Sequence, residues 1–303
     1  MHINYLARGV TMINGFHSNW TKPFFNSNKN TQYAIDDFEI LTTILSALKW
    51  REHNGSIKMV TDEIGADYYK KLGMESIWDL GIDVSLDTSI QDEINSDIFW
   101  AGGKIFALAT QSTPCAMIDT DFIVWKSLKE LLKDKEICTI HKEDIIPEVY
   151  PEIDHFNMKE DYVFNPKWDW RVLPCNTAFT YIANQKFKDY YTSSSIEFMQ
   201  NFNEGNDRIT NMVFAEQRLI AMCANYMNIE VHELVKLQEL SNGNQSYFTH
   251  TWGYKNVMRQ DYNKRREFCV KCIRRIIDDF PAYEYIIANI ESLKGYYQLS
   301  GAR

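Results

Sequence analysis

Apolar positions along this chain alternate between a 3.6-residue spacing and short unbroken runs, which predicts helices and strands in turn. From Asp36 to Arg51, Phe38, Leu41, Ile44, Leu45 and Leu48 fall on one helical stripe, with acids in the first turn where the helix dipole favours them. Ile57 to Asp62 reads as a short strand and turn, Ala66 to Leu72 as a helix stopped by Gly73, and Glu75 to Trp78 as a weaker strand. Asp97 to Thr110 reads as a helix leading into the apolar strand Pro114 to Trp125, and an earlier strand is expected around Val10 to Gly15. The segment 141–172 holds three of the seven prolines, a density that breaks regular backbone and predicts a long irregular connection. Beyond it come a strand from Cys175 to Ile182, helices at 184–202 and 208–227, and a strand from Ile229 to Val235. From Asn256 onward the pattern is helical, with a break at Pro281. Strands alternating with helices predict an α/β fold: a Rossmann-like, mostly parallel central sheet flanked by helices, with a C-terminal helical extension. Residues 1–255 are expected to form the main α/β domain and 256–303 the extension.

Composition narrows the function. With 303 residues, 45% of them hydrophobic, the chain can bury a large core. A formal charge of −9 and a pI near 5.3 argue against nucleic acid as a general partner. The segment Met1 to Gly9 lacks the apolar stretch of a signal peptide, and no run reaches the length of a membrane span. Six cysteines scattered through apolar segments suit reduced core thiols, so a cytoplasmic location is expected. Cys269-x-x-Cys272 has no second ligand pair and reads as packing. Residues 263–277 carry six Lys or Arg against one Glu, beside the apolar stripe Phe268, Cys269, Cys272, Ile273 and Ile276. That pattern fits peripheral contact with the anionic inner membrane surface, but more often marks a solvated face above a packed stripe.

Three constellations carry chemistry. The apolar strand ends in Asp119-Thr120-Asp121, and in extended backbone two acids two residues apart share one face. Hard oxygen ligands at the carboxyl end of a strand suit Mg²⁺ or Mn²⁺ and a phosphorylated substrate, although such pairs also turn loops and cap helices. Glu216 and Gln217 interrupt the apolar helix Phe214 to Ala221, so they either recognise substrate or mark an exposed helical edge. In Thr249-His-Thr-Trp-Gly-Tyr-Lys255, His250 offers an imidazole ligand, Gly253 allows close backbone approach, and Lys255 offers a cation for phosphate oxygens. His250 with the two aspartates makes an N/O site that fits Mn²⁺ better than Ca²⁺.

In this order the three pieces resemble GT-A-type glycosyltransferases, with His250-x-x-Gly253-x-Lys255 similar to the His-x-x-Gly-x-Lys element of the retaining glycogenin and lipopolysaccharide-galactosyltransferase group. The resemblance covers residues 10–260 in short scattered motifs. It implies a GT-A fold and Mn²⁺ (or Mg²⁺) held by Asp119, Asp121 and His250, with Gly253 and Lys255 at the diphosphate and Asp119 also facing the nucleotide. It further implies transfer of a sugar from a nucleotide diphosphate sugar, a UDP-sugar first of all, to a hydroxyl acceptor such as a glycan, with retention of configuration. Lys104 stands approximately where many members carry a basic residue near the nucleotide. Glu216 and Gln217 are the catalytic candidates, since similar enzymes place an acid–Gln pair on a late helix. The alternative is a non-catalytic carbohydrate- or nucleotide-binding protein on the same fold. A nucleotidyltransferase would want a Gly-rich, Arg-containing loop that Met12 to Ser18 does not supply. Trp168 and Trp170 would line an acceptor groove or pack under the long loop, and Trp100 and Trp252 flank the proposed site.

Overall fold

A computed structural model describes residues 12–301 except 92, 206 and 244. Val10 and the segment Met1 to Gly9 therefore lie outside the described residues. Among the described residues nine strands run in chain order: β1 Asn14–Asn19, β2 Ile57–Thr61, β3 Ile82–Asp83, β4 Cys115–Ile118, β5 Phe122–Val124, β6 Ile137–Thr139, β7 Phe179–Ile182, β8 Val231–Glu233 and β9 Phe248–His250. Seven of them form one sheet in the order β3-β2-β1-β4-β7-β6-β8, while β5 and β9 pair separately. β7 runs antiparallel to β4 and β6, and every other neighbouring pair in the large sheet is parallel. Helices flank this sheet, so the chain has the expected mixed α/β architecture with a mostly parallel centre and C-terminal helices.

The strand order places the site. The chain winds from β1 outward to β2 and β3, then returns to add β4 on the other side of β1. Such a reversal opens a crevice at the carboxyl ends of the two strands. Ser18 and Asn19 end β1, and Asp119 follows β4.

Several expected elements shift for identifiable reasons. Glu75–Ile77 is a single 3-10 turn instead of a weak strand. The helix expected over Asp97 to Thr110 is regular only at Gly102–Ala109. It starts against Trp20, and a Cβ on Gly103 would lie 2.6 Å from the Trp20 Cβ, so that close approach requires glycine. Lys188, almost wholly buried, fixes the other end of this helix by donating to the carbonyls of Leu108, Ala109 and Gln111. The apolar stretch from Pro114 to Trp125 holds two strands: β4 ends at Ile118 just before the acids, a turn follows, and β5 belongs to the small sheet.

In the C-terminal helix Tyr262–Asp279, Cys269, Cys272, Ile273 and Ile276 are buried in the core shared with the helix Asp37–His53. The apolar stripe of 263–277 thus packs on protein. Among its basic residues, Arg265 pairs with Asp37, Lys271 with Glu267 and Arg275 with Asp279. Among the described residues no helix is long and apolar enough to cross a membrane. Trp168 is buried and donates to the Tyr190 hydroxyl, and Trp170, half-buried, stacks on Phe214, so both pack within the irregular 141–172 segment.

Candidate active site

The acidic pair sits on a turn. The Phe122 amide donates to the Asp119 carbonyl at 2.9 Å, closing a four-residue turn, so the two acids converge by reversal of the chain and not by strand alternation. Phe122 anchors this turn from below, fully buried and stacked on Phe248 at 4.6 Å and on Phe179 at 5.8 Å. Ser46 Oγ donates to the Phe122 carbonyl at 2.6 Å, and buried His17 meets Ser46 Oγ at 2.9 Å.

The small sheet supplies the third group. Antiparallel pairing sets Phe122 opposite His250, which brings a residue about 130 positions downstream beside Asp121. His250 Nε2 lies 3.7 Å from Asp121 Oδ1, while Thr251 Oγ1 donates to Asp121 Oδ2 at 3.0 Å. One ligand atom each from Asp119, Asp121 and His250 falls within 4.8 Å of the others. Lys255 Nζ reaches Asp121 Oδ2 at 3.0 Å and Glu39 Oε1 at 3.6 Å.

Glu216 and Gln217 lie on a turn of π-helix, Phe214–Arg218, set between the α-helices Arg208–Val213 and Leu219–Tyr226. The wider turn frees main-chain carbonyls that an α-helix would satisfy internally. Here Ser195 Oγ donates to the Ala215 carbonyl, the Tyr191 hydroxyl to that of Glu216, and the Cys175 amide to that of Gln217. Arg218, wholly buried, donates to the Tyr150 and Trp170 carbonyls and ties the irregular segment to this turn. The turn presents Glu216 inward, where it accepts from Thr177 Oγ1 at 2.8 Å and pairs with Lys104. Lys104 also reaches Asp119 Oδ1 at 2.7 Å. The Gln217 side chain meets the Tyr150 hydroxyl at 2.6 Å.

These groups line one cleft of about 310 Å³. Lys104, Asp119, Asp121, Glu216, Gln217, His250 and Lys255 all face it, with Trp100 and Trp252. Gly253 falls just outside the lining. Its φ of −63° suits any residue, and a Cβ there would meet nothing within 4 Å, so no contact within the described protein requires the glycine.

Electrostatics fit a cation site. Burial pushes the His250 imidazole down to about 4, against the pull of Asp121, so near neutrality it is uncharged and able to act as a metal ligand. Burial pushes Asp119 up to about 6, opposed by Lys104 and reinforced by Glu216 and Asp121. Burial acts the same way on Asp121, but Lys255, His250 and Thr251 outweigh it and hold this carboxyl below its usual range. Two carboxylates and a neutral imidazole are the donor set of a hard or borderline divalent ion. Ser18 Oγ and Asn19 Nδ2, which line the same cleft, are buried with no hydrogen-bond partner among the described residues. Buried polar atoms left unpaired are costly, so each calls for a partner such as an ordered water or a ligand.

Ser18, Asn19, Thr177 and Thr251 were not singled out in the sequence. Thr177 carried a signal, because Asn176-Thr177 interrupts an otherwise apolar run before β7. Ser18 and Asn19 carried none beyond their place at the end of β1.

Solved glycosyltransferase structures are similar to this chain at low identity. The apo form of glycosyltransferase GlyE from Streptococcus pneumoniae TIGR4 aligns at 14% identity over 68% of this chain and 44% of its own, with a TM-score of 0.34. Apo mouse xyloside xylosyltransferase 1 aligns at 10% identity over 74% of this chain and 85% of its own, with a TM-score of 0.39. The match thus spans less than half the length of GlyE. No curated protein matches the sequence. A match to DUF6734, a family of unknown function, runs over residues 12–290 and so takes in every residue of the cleft: the chain belongs to that family.

Proposed function

We propose that this protein is a metal-dependent glycosyltransferase that moves a sugar from a nucleotide diphosphate sugar, a UDP-sugar first of all, to a hydroxyl acceptor with retention. The observation that carries the reading is the convergence of Asp119, Asp121 and His250 at the strand-order reversal, beside Lys255. Asp119, Asp121 and His250 would hold Mn²⁺ or Mg²⁺, which when bound supplies positive charge to the diphosphate.

The chain's own groups do the rest. Lys255 adds a second cation at the diphosphate, and the open space at Gly253 lets phosphate approach the main chain. Ser18 and Asn19 offer their unpaired atoms to the nucleoside. Lys104 clamps Glu216 and Asp119 in place, so it acts on the donor through these acids more than by direct contact. The Glu216 carboxylate faces the cleft where positive charge develops on the sugar, and the Gln217 amide is in reach of a sugar hydroxyl. In the transfer, the bond from the anomeric carbon to the diphosphate oxygen breaks with its electron pair leaving on oxygen. The acceptor oxygen forms the new bond, and its proton passes to the leaving phosphate oxygen. Positioning of donor and acceptor supplies much of the remaining barrier reduction.

The test is release of UDP from a panel of UDP-hexoses with Mn²⁺ present. Turnover of at least one donor supports the reading. UDP binding without turnover of any donor, with acceptors supplied, would favour the non-catalytic alternative.

A further inference from the structure

Behind the wall formed by His250, Trp252 and Asn176 lies a second cavity, of about 570 Å³. Those three residues line both spaces. The two differ in chemistry. The first is ringed by lysines and carboxylates, while the second is walled by Ile140, Ile146, Leu237, Leu240, Phe248 and Trp252. His141, Glu143 and Asp144 also line it, so among the described residues it offers acids, imidazoles and apolar groups but no lysine or arginine. Phosphate oxygens would meet no lysine or arginine there among the described residues, which sets it apart from the donor site.

Two of its walls are unusual for a surface. Trp252 is 73% exposed and Ile146 is 51% exposed, and large apolar side chains clustered on an open cavity mark a binding site more often than isolated ones do. Trp252 stands on the boundary of both spaces, where one ring face can carry a sugar while the apolar cavity receives what that sugar is attached to. The volume lies within the range of small-molecule sites.

We propose that this cavity is the acceptor subsite and that the acceptor is an amphiphile: a sugar or other hydroxyl-bearing head that rests against Trp252, joined to an apolar aglycone held by Ile146, Leu237 and Leu240. The assignment to an acceptor rests on the glycosyltransferase reading; the capture of an apolar aglycone rests on the cavity alone. The aglycone is an alkyl chain or an aromatic group, and the two are separable by experiment.

The test uses the full chain without donor, titrated calorimetrically with butyl, hexyl and octyl glucoside below their micelle concentrations, with phenyl glucoside and with free glucose. Burial of apolar surface predicts a three- to fourfold gain in affinity for each added methylene until the cavity is filled (about 0.8 kcal/mol per methylene). Tighter binding of phenyl than butyl glucoside would assign the aglycone as aromatic; the reverse would assign it as alkyl. Ile146→Trp and Leu240→Trp, introduced separately, should each flatten the chain-length dependence by filling the cavity. UDP affinity with Mn²⁺ should stay within twofold of wild type in both. Thermal melts identify a variant that has lost its fold, and the other variant then decides. Affinity independent of chain length in the wild type, or a dependence unchanged in a folded variant, would overturn the cavity assignment. If alkyl glucosides bind as expected while no UDP-sugar is turned over, the cavity stands and the acceptor role falls with the glycosyltransferase reading.

Discussion

Asp37 and Asp121 are buried to nearly the same degree, at 7% and 4% exposure, yet their surroundings differ in kind. The Asp37 carboxylate takes Arg265 Nε at 2.7 Å, the Tyr296 hydroxyl at 2.7 Å and its neighbour's amide, that of Phe38, at 2.6 Å. Those donors come from three helices, so the acid works as a joint between Asp37–His53 and the C-terminal helices. Asp121 faces a cleft, beside another acid raised to about 6 and an imidazole that burial keeps neutral. Burying charge is costly in both places. At both the protein supplies compensating partners, but at Asp37 they close the acid in, whereas Asp121, held by Lys255 and Thr251, still opens on a cleft. The difference between a closed and an open acid cluster separates structure from chemistry here.

That comparison breaks most visibly at Glu216. Glu216→Gln keeps the shape and removes the charge facing the sugar, so turnover should fall about 10²- to 10³-fold. UDP affinity should change less than threefold. Full activity in the variant, measured by steady-state kinetics, would take Glu216 out of the chemistry.

The converse change is Asp37→Ala. It leaves Arg265 and Tyr296 without their shared acceptor and should cost about 2–3 kcal/mol of stability. UDP affinity should be unchanged in the folded protein. Urea melts and calorimetry on one sample check both halves, and a loss of binding without a loss of stability would reverse the assignment.

His17 sharpens the same contrast through pH. It is wholly buried, and burial pushes its imidazole down to about 3, against a Coulombic pull from Asp121. Because the folded value lies below the unfolded one, His17 weighs nothing against folding above about pH 6.5. Below that the unfolded chain takes up the proton and stability falls by about 1.4 kcal/mol per pH unit. On going from pH 7 to pH 5, wild type should therefore lose about 2 kcal/mol more than His17→Gln. Equal losses in urea melts would mean that His17 is already protonated in the fold.

The smallest effect is expected at Gly253. Gly253→Ala meets no neighbour and should leave stability within about 0.5 kcal/mol of wild type. It should weaken UDP binding about three- to tenfold, because the methyl stands where phosphate would approach. Unchanged binding would make the glycine incidental.

Much of this was legible in the sequence, and what was not shares a cause. Helical stripes such as Asp37–His53 and the run Ile57–Thr61 were readable because their signal is local. Asp119, Asp121 and His250 were readable as types that hold a metal, but the device that joins them was not. The pairing of β5 with β9 spans the gap between Phe122 and His250, and no local pattern encodes such a contact. Asp119 and Asp121 were read as the extended tip of the strand, sharing one face, because the Phe122 amide that closes the turn on the Asp119 carbonyl leaves no mark in composition. The π turn was equally hidden, since Phe214 to Arg218 has the composition of an ordinary helix and only its partners, Ser195, Tyr191 and Cys175, reveal the extra residue. The basic helix Tyr262–Asp279 left two readings open, because an apolar stripe looks the same whether it faces lipid or protein.

The most direct test of the account is calorimetric titration of UDP into wild type and Asp121→Asn, each with and without Mn²⁺. The account predicts binding by wild type only with Mn²⁺, at least tenfold loss in Asp121→Asn, and thermal midpoints for the two proteins within a few degrees. UDP binding that ignores both Mn²⁺ and Asp121 would contradict it.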